Sequence, residues 1–399
     1  MSAETRMATV MRASYGKLLA ILASRGSDII AAEDALSDAF AKALIHWPKE
    51  MPRNPEAWLL TVARNRLKDI HRKDQRIEFH DEVPEPEQAD ATIETIPDDR
   101  LKLMFVCAHP AIDARIRTPL MLQTVVGLDA ETIARAFLLP PATMAKRLVR
   151  AKTKIKASAV AFRVPEPEEL DGRVSAVLEA IYGAFSRDWL AEHALAEEAF
   201  FLATLLADLL PNNAEVLGLA AVIAFMLSRQ EARIRDGKFV PLEDQDPAHW
   251  DQALMQQAST YLSKAQSIGE LGRFQLEAAV HAVHADRLNT GIINWDALAH
   301  LYRGLSHVAP TIGTTVSYAA ALGRVAGPKE GLEALLQIDS KVRASFAPAQ
   351  VVEAHFLSLL GQIEEAATAY DLAIALTVEA PLREYLTAKR KALAPKLHS

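Results

Sequence analysis

Cysteine is almost missing from this chain: one residue, Cys107, in 399. A single thiol closes no internal disulfide and cannot build a cysteine-rich zinc site. Aromatic residues are scarce as well, at 6%. No run approaches the ~18 apolar residues that a membrane-spanning helix requires. The N-terminal stretch, interrupted by Glu4, Arg6 and Arg12, lacks the apolar core of a signal peptide, so a reducing, cytoplasmic compartment is expected. There is no phosphate-binding glycine loop and no HExxH zinc motif. His281, His284 and Asp286 lie close together, but a metal site needs three or four ligands from converging elements. Cys107, two residues from His109 and next-but-two to Pro110, reads as core rather than as a nucleophile. The expectation is a non-enzyme with no cofactor and no metal. Long alternating strand-like runs are missing too, which leaves an all-α fold.

What is present is charge in blocks. Half the residues are apolar and 24% are charged, an ordinary globular composition, and the length suits two or three domains. The net charge of −7 conceals its distribution. Residues 1–76 carry 13 Lys/Arg against 9 Asp/Glu; residues 77–99 carry 9 acids and no base; residues 100–165 carry 12 bases against 3 acids; the remainder holds 19 bases and 30 acids. Alternating blocks suggest modules with different partners. A basic block is the electrostatic footprint of nucleic-acid contact, although a solvated basic face has the same composition. The acidic block, with three prolines and no glycine, reads as an extended linker. A second hinge is expected at RVPEPEEL, Arg163–Leu170. The predicted organisation is 1–76, a linker over 77–99, 100–165 and 168–399.

In the first module, Ala32, Ala35, Leu36, Ala39, Phe40, Ala43, Leu44 and Trp47 recur every three or four residues and predict a helix with one apolar stripe. The opposite face presents Glu33, Asp34, Asp38 and Lys42. Pro48 and Pro52 end it in a short loop. Asn54 is an N-cap and Pro55 the first residue of a second helix reaching about Lys73. That helix buries Leu59, Val62, Ala63, Leu67 and Ile70 and exposes Arg64, Lys68 and Arg72, with Asn65 nearby. Cations on one face beside Trp58 suit a groove that tracks a nucleic-acid backbone and stacks a base; a core tryptophan with solvated arginines accounts for the spacing equally.

The second module predicts a helix over Pro119–Val126, then a helix-turn-helix. Asp129 caps a short helix, Ala130–Phe137, whose Ile133, Ala134 and Phe137 face inward, and Pro141 starts the next. There Met144, Leu148, Ala151 and Ile155 form the apolar stripe. Thr143, Lys146, Arg147, Arg150 and Lys154 fall outside it, with Lys152 and Lys156 flanking. One apolar seam with donors and cations away from it is what a major-groove reader needs.

Together these modules resemble bacterial RNA polymerase sigma factors of the extracytoplasmic-function (ECF) type. AEDALSDAFAKAL is similar to the sigma-2 helix that docks on the clamp of the polymerase largest subunit, which implies core-polymerase contact by Glu33, Asp34 and Asp38. NPEAWLLTVARNRLKDIHRK resembles the helix that reads and melts the promoter −10 element. By that resemblance Lys49, Arg53 and Asn54 belong to a base pocket, and Trp58, Arg64, Asn65, Lys68 and Arg72 to the −10 surface. The basic module resembles sigma-4, with Thr143, Lys146, Arg147, Arg150 and Lys154 facing the −35 element. The acidic linker would then cross the polymerase's positively charged path. DDRLKLMFVCAHPAI, ETIARAFLLPPATMAKRLVRAKTKI and FRVP, with PLEDQD, HWD and GRFQLEAAVHAVHAD further on, resemble a subgroup with a long tetratricopeptide-like helical extension. Two departures stand out: SRDW, Ser186–Trp189, replaces an Asn–Glu–Gly–Tyr-like stretch, and Ala108 replaces a second cysteine.

Beyond 168 the chain reads as successive amphipathic helices, interrupted by a polar loop around Arg235–Pro247. Ala354, Gly361, Ala366, Tyr370 and Ala373 follow the small-residue pattern of a helix-pair repeat, with a weaker copy at Ala319, Gly327, Leu332 and Leu335. Such repeats present concave surfaces to a protein or peptide ligand, or serve only as scaffold. The expected function is a promoter-specificity subunit whose partners are core polymerase and promoter DNA, with no membrane contact. The competing reading is a stand-alone helix-turn-helix regulator with a helical-repeat sensor, and a third is a repeat scaffold with an RNA-binding basic region.

Overall fold

The structure, a computed structural model, describes residues 3–24, 28–74, 98–137, 139–170, 172–187 and 194–393. The linker expected over 77–99 lies outside the described residues except for Asp98 and Asp99, as do Asp188 and Trp189 of the SRDW departure. The fold is all-α, as the periodicity requires, and divides into two compact units, 1–202 and 203–399.

The first unit begins with three mutually packed helices, α1 (Ala3–Ala23), α2 (Ile29–His46) and α3 (Pro55–Asp74). Their stripes meet in a dry core of Leu18, Leu19, Ala32, Leu36, Leu59 and Ala63, all fully buried. Local chemistry sets both helix starts: Asp28 Oδ1 accepts from Ala31 N, and Asn54 Oδ1 accepts from Ala57 N, each at 3.1 Å. Four further helices follow, α4 (Arg100–Cys107), α5 (Ala114–Thr124), α6 (Ala130–Ala136) and α7 (Pro141–Ala157). Helix α5 starts earlier than its prolines suggest. Asp113 caps it at 3.0 Å, and Pro119 is carried inside because Ile116, Leu120 and Met121 are buried around it. Cys107 is wholly buried against Thr124, with its thiol pushed up to about 12 by burial.

The expected hinge is stitched rather than loose: a short helix α8 (Pro167–Leu170) offers Glu169 to Arg163 at 2.7 Å and to Arg173 at 3.3 Å. Helix α9 (Val174–Arg187) then packs on α4 and α5 within the first unit.

Helix α10 (Ala194–Leu209) leads to α11 (Ala214–Leu227), which is buried along almost its whole length beneath α13 (Gln252–Ile268) and α14 (Arg273–Ala285). Between them lie α12 (Gln230–Arg233) and a hairpin, β1 (Ile234–Arg235) against β2 (Lys238–Phe239). This corrects the expected plain loop: Asp236 and Gly237 both take positive φ, 53° and 74°, the Asp-Gly turn that matches strand twist. Then come α15 (Arg287–Thr290), α16 (Trp295–Val308), α17 (Ile312–Val325), α18 (Pro328–Leu335), α19 (Ser340–Ala344), α20 (Ala347–Leu359), α21 (Ile363–Leu376) and α22 (Ala380–Lys391). Most packing here is between near neighbours in sequence, as in α16 on α17 and α20 on α21. Ala354, Ala366, Tyr370 and Ala373 interlock at the α20–α21 contact. Among the described residues no helix is long and apolar enough to cross a membrane.

Candidate nucleic-acid and polymerase interface

The loop between α2 and α3 gathers the aromatic residues. Trp47 is buried at the end of α2, and its ring meets half-buried Trp58 edge-on at 5.7 Å, with the His46 ring tilted against Trp58 at 6.3 Å. Trp58 is therefore neither pure core nor a free platform: one part of the ring is braced and the rest remains accessible. Lys49, Arg53 and Asn54 line the exposed loop before it. Along α3, Asn65, Lys68 and Arg72 are exposed, whereas Arg64, expected with them, is half-buried. Arg66 turns back to Asp38 of α2 at 2.5 Å. The start of α3 is tied to α1, with Glu56 accepting from Ser14 and Lys17 at 3.1 Å.

On α7 the apolar stripe is buried as expected: Met144, Leu148, Ala151 and Ile155. Lys146, Arg147, Arg150 and Lys154 are exposed and Thr143 is half-buried near the helix start. Pro140 precedes Pro141 in extended conformation, and Asp129 caps α6 through Thr132 N at 2.7 Å. Phe137 departs from expectation. It is 37% exposed, at the mouth of an apolar cavity of about 420 Å³ lined by Leu122, Ile133, Tyr182 and Gly183. The cause is length: α6 ends at Ala136, so Phe137 leaves the inward row.

Lys152 is the larger correction. Instead of flanking the stripe in solvent, it is 5% exposed and reaches both carboxylate oxygens of Glu33 on α2, at 2.6 and 2.5 Å. Lys156 adds a second pair with Asp28 at 2.6 Å. Of the three acidic residues expected on the outer face of α2, Asp34 is exposed, Asp38 is half-exposed in its pair with Arg66, and Glu33 is enclosed against α7. Burial raises the Glu33 carboxyl above the ordinary glutamate range even though Lys152 opposes the shift. Tyr15 hydrogen-bonds the same carboxylate, and burial followed by that negative charge raises its phenol. Next to Tyr15, Gly16 of α1 lies so close to the end of α5 that a Cβ would collide with the Val125 carbonyl oxygen. Tyr15 escaped the sequence reading, as did the acidic partners of Lys152 and Lys156, which it placed only as flanking the stripe. Lys152 did leave a signal: it continues the Met144–Leu148 row at the next four-residue step.

Residues 10–77 match sigma-70 region 2. Residues 173–266 match a family of unknown function, DUF6596. An uncharacterized protein of Rhizobium meliloti (strain 1021) is 32% identical over 373 residues, covering 89% of this chain and 88% of its own length. The chain carries a sigma-70 region 2. The region-2 match coincides with α1–α3 and so with the aromatic loop and the basic side of α3. Region 2 implies core RNA polymerase and promoter DNA as partners. The second match falls on α9–α13, the segment that begins in the first unit and enters the second. No solved structure matches the chain.

Proposed function

We propose that the chain is a dissociable ECF-type promoter-specificity subunit of RNA polymerase. Asp34 and Asp38, with Glu33 once released, meet core polymerase. Trp58, Asn65, Lys68 and Arg72, with Arg64 and the Lys49–Arg53–Asn54 loop, engage and help to open the −10 element. Helices α6 and α7 act as a helix-turn-helix whose Thr143, Lys146, Arg147, Arg150 and Lys154 read the −35 element. The second unit serves as a tetratricopeptide-like regulatory or docking module. The observation that carries this reading is the coincidence of the sigma-70 region-2 match with a capped, basic α3 that starts beside a half-exposed, braced tryptophan.

One consequence is geometric. Elements named −35 and −10 lie ~25 base pairs apart, on the order of 85 Å of duplex at 3.4 Å per step. Helix α2, neighbour of α3, here touches α7 through Glu33 and Lys152. Simultaneous engagement therefore requires that contact to part.

The test is a titration of bacterial core polymerase with the full chain, followed by transcription from promoter templates. Saturable one-to-one core binding with promoter-dependent initiation is expected. A chain that ignores core polymerase yet shifts duplex DNA by itself would be a stand-alone regulator instead.

A further inference from the structure

Several residues that the polymerase reading leaves unused converge in the second unit. Arg229 follows α11, Trp250 precedes α13, His281 and His284 lie one turn apart on α14, and Arg287 opens α15. Arg229 is 4% exposed. Its Nη2 donates to His281 Nδ1 at 2.9 Å, while its Nη1 is buried with no hydrogen-bond partner. A guanidinium only donates, so His281 accepts at Nδ1 and is the neutral tautomer protonated at Nε2. His284 Nδ1 is also buried without a partner. The Arg229 and Arg287 guanidiniums stand 6.0 and 5.1 Å from the Trp250 ring centroid.

The charges around Arg229 do not balance. Arg287 is answered by the carbonyls of Leu242, Glu243 and Gln245, and by the carboxylates of Glu243, Asp244 and Asp246. The groups that bear on Arg229 are two further cations, Arg233 and Arg287, and the phenol of Tyr302. Burial draws the Arg229 guanidinium down to about 9, which leaves it charged at neutral pH. Burial and Arg229 draw His284 down to about 4, which leaves it neutral. A buried cation with an unused donor calls for an anion. A metal ion is the wrong complement, because His281 Nδ1 is already taken by a guanidinium. Among the described residues no group of three metal-ligating side chains forms.

We propose that Arg229 Nη1 and His284, as its Nδ1–H tautomer, receive a small oxyanion, a phosphate or a carboxylate, held beside Trp250. A guanidinium fork matches either oxyanion, and a neutral imidazole is free to choose the tautomer that donates. The 234–251 excursion, which supplies Trp250, is pinned by Arg287 and by Trp250 Nε1 donating to Gln245 at 3.3 Å. The proposal makes the second unit a receptor for a small anion and stands whether or not the polymerase reading does.

The test uses the full chain in chloride buffer at fixed ionic strength, titrated with inorganic phosphate and separately with acetate. Readouts are the thermal midpoint and the heat of binding. A saturable rise in midpoint with one of the two is expected, and the stronger one names the ligand class. Arg229→Lys keeps the charge but loses the fork, and weakens that binding at least tenfold; Arg229→Met abolishes it. Should Arg229→Met not fold, the Arg229→Lys comparison and the wild-type calorimetry decide. The proposal is overturned if neither anion binds the wild type, if both act only through a non-saturating salt effect, or if Arg229→Lys responds as the wild type does.

Discussion

Replacing Lys152 by methionine tests the contact between α2 and α7 most directly. The Lys152 side chain is 6% exposed and that of Glu33 19%, so the pair is shielded from most solvent screening. Removing one partner of a buried pair leaves the other charge uncompensated, a loss of about 3–5 kcal/mol. Glu33 keeps the Tyr15 hydrogen bond and can take up a proton, which places the expected loss near the lower bound, ~3 kcal/mol. At 1.4 kcal/mol per factor of ten, that is roughly a hundredfold shift toward separated α2 and α7. Glu33→Leu with Lys152→Met replaces the pair by apolar volume and should recover most of the loss, because buried ion pairs exchange for packed hydrophobes at little net expense. The assay has two arms: urea unfolding of the full chain, and energy transfer between dyes at Ser37 and Thr153, both exposed and on the two helices concerned. A loss below ~1 kcal/mol, the range of an exposed pair, with energy transfer unchanged, would refute the enclosure of Lys152.

Three other outcomes follow from the same geometry. Because Glu33 is raised in the folded chain, its contribution is fully present below the ordinary glutamate value of about 4.3 and is lost as pH rises through its raised value; Glu33→Gln should flatten that slope in urea midpoints measured across the window. Arg147→Ala and Arg150→Ala should each weaken −35-dependent initiation by ~1–3 kcal/mol with core binding unchanged, since both are exposed on α7 outside its buried stripe. Loss of core binding with either substitution would move them to the polymerase surface. Asp34→Ala with Asp38→Ala should weaken core binding in titration while stability changes by less than ~1 kcal/mol, because the Asp38–Arg66 pair is largely exposed.

The local architecture was legible in the sequence where one residue type has one physical use. Asn54 and Asp129 cap the helices that they were expected to start, and the α7 stripe is buried at every expected position. What sequence could not supply is the partner of a side chain. Lys152 and Lys146 are both lysines on one helix, and only the approach of α2 makes one a buried counter-ion and the other a solvated cation. The same limit hid the Arg229 cluster: its members come from segments up to 58 positions apart, and no periodicity joins them. Phe137 failed differently, through a helix that stops one residue short.

Gly16 carries a consequence for heredity. Gly16 of α1 meets the Val125 backbone at the end of α5, with no side chain between them that could rearrange to accept a methyl group. A single-nucleotide change of that glycine codon to alanine would wedge the two helices apart while leaving the caps, the exposed cations of α3 and α7 and the acidic α2 residues as they are. In a screen for cells whose reporter is switched on without a stimulus, lesions should therefore recur at Gly16, a position that touches neither DNA nor polymerase in the reading above. A collection of such mutants that never includes it would mean that the α1–α5 approach does not restrain activity.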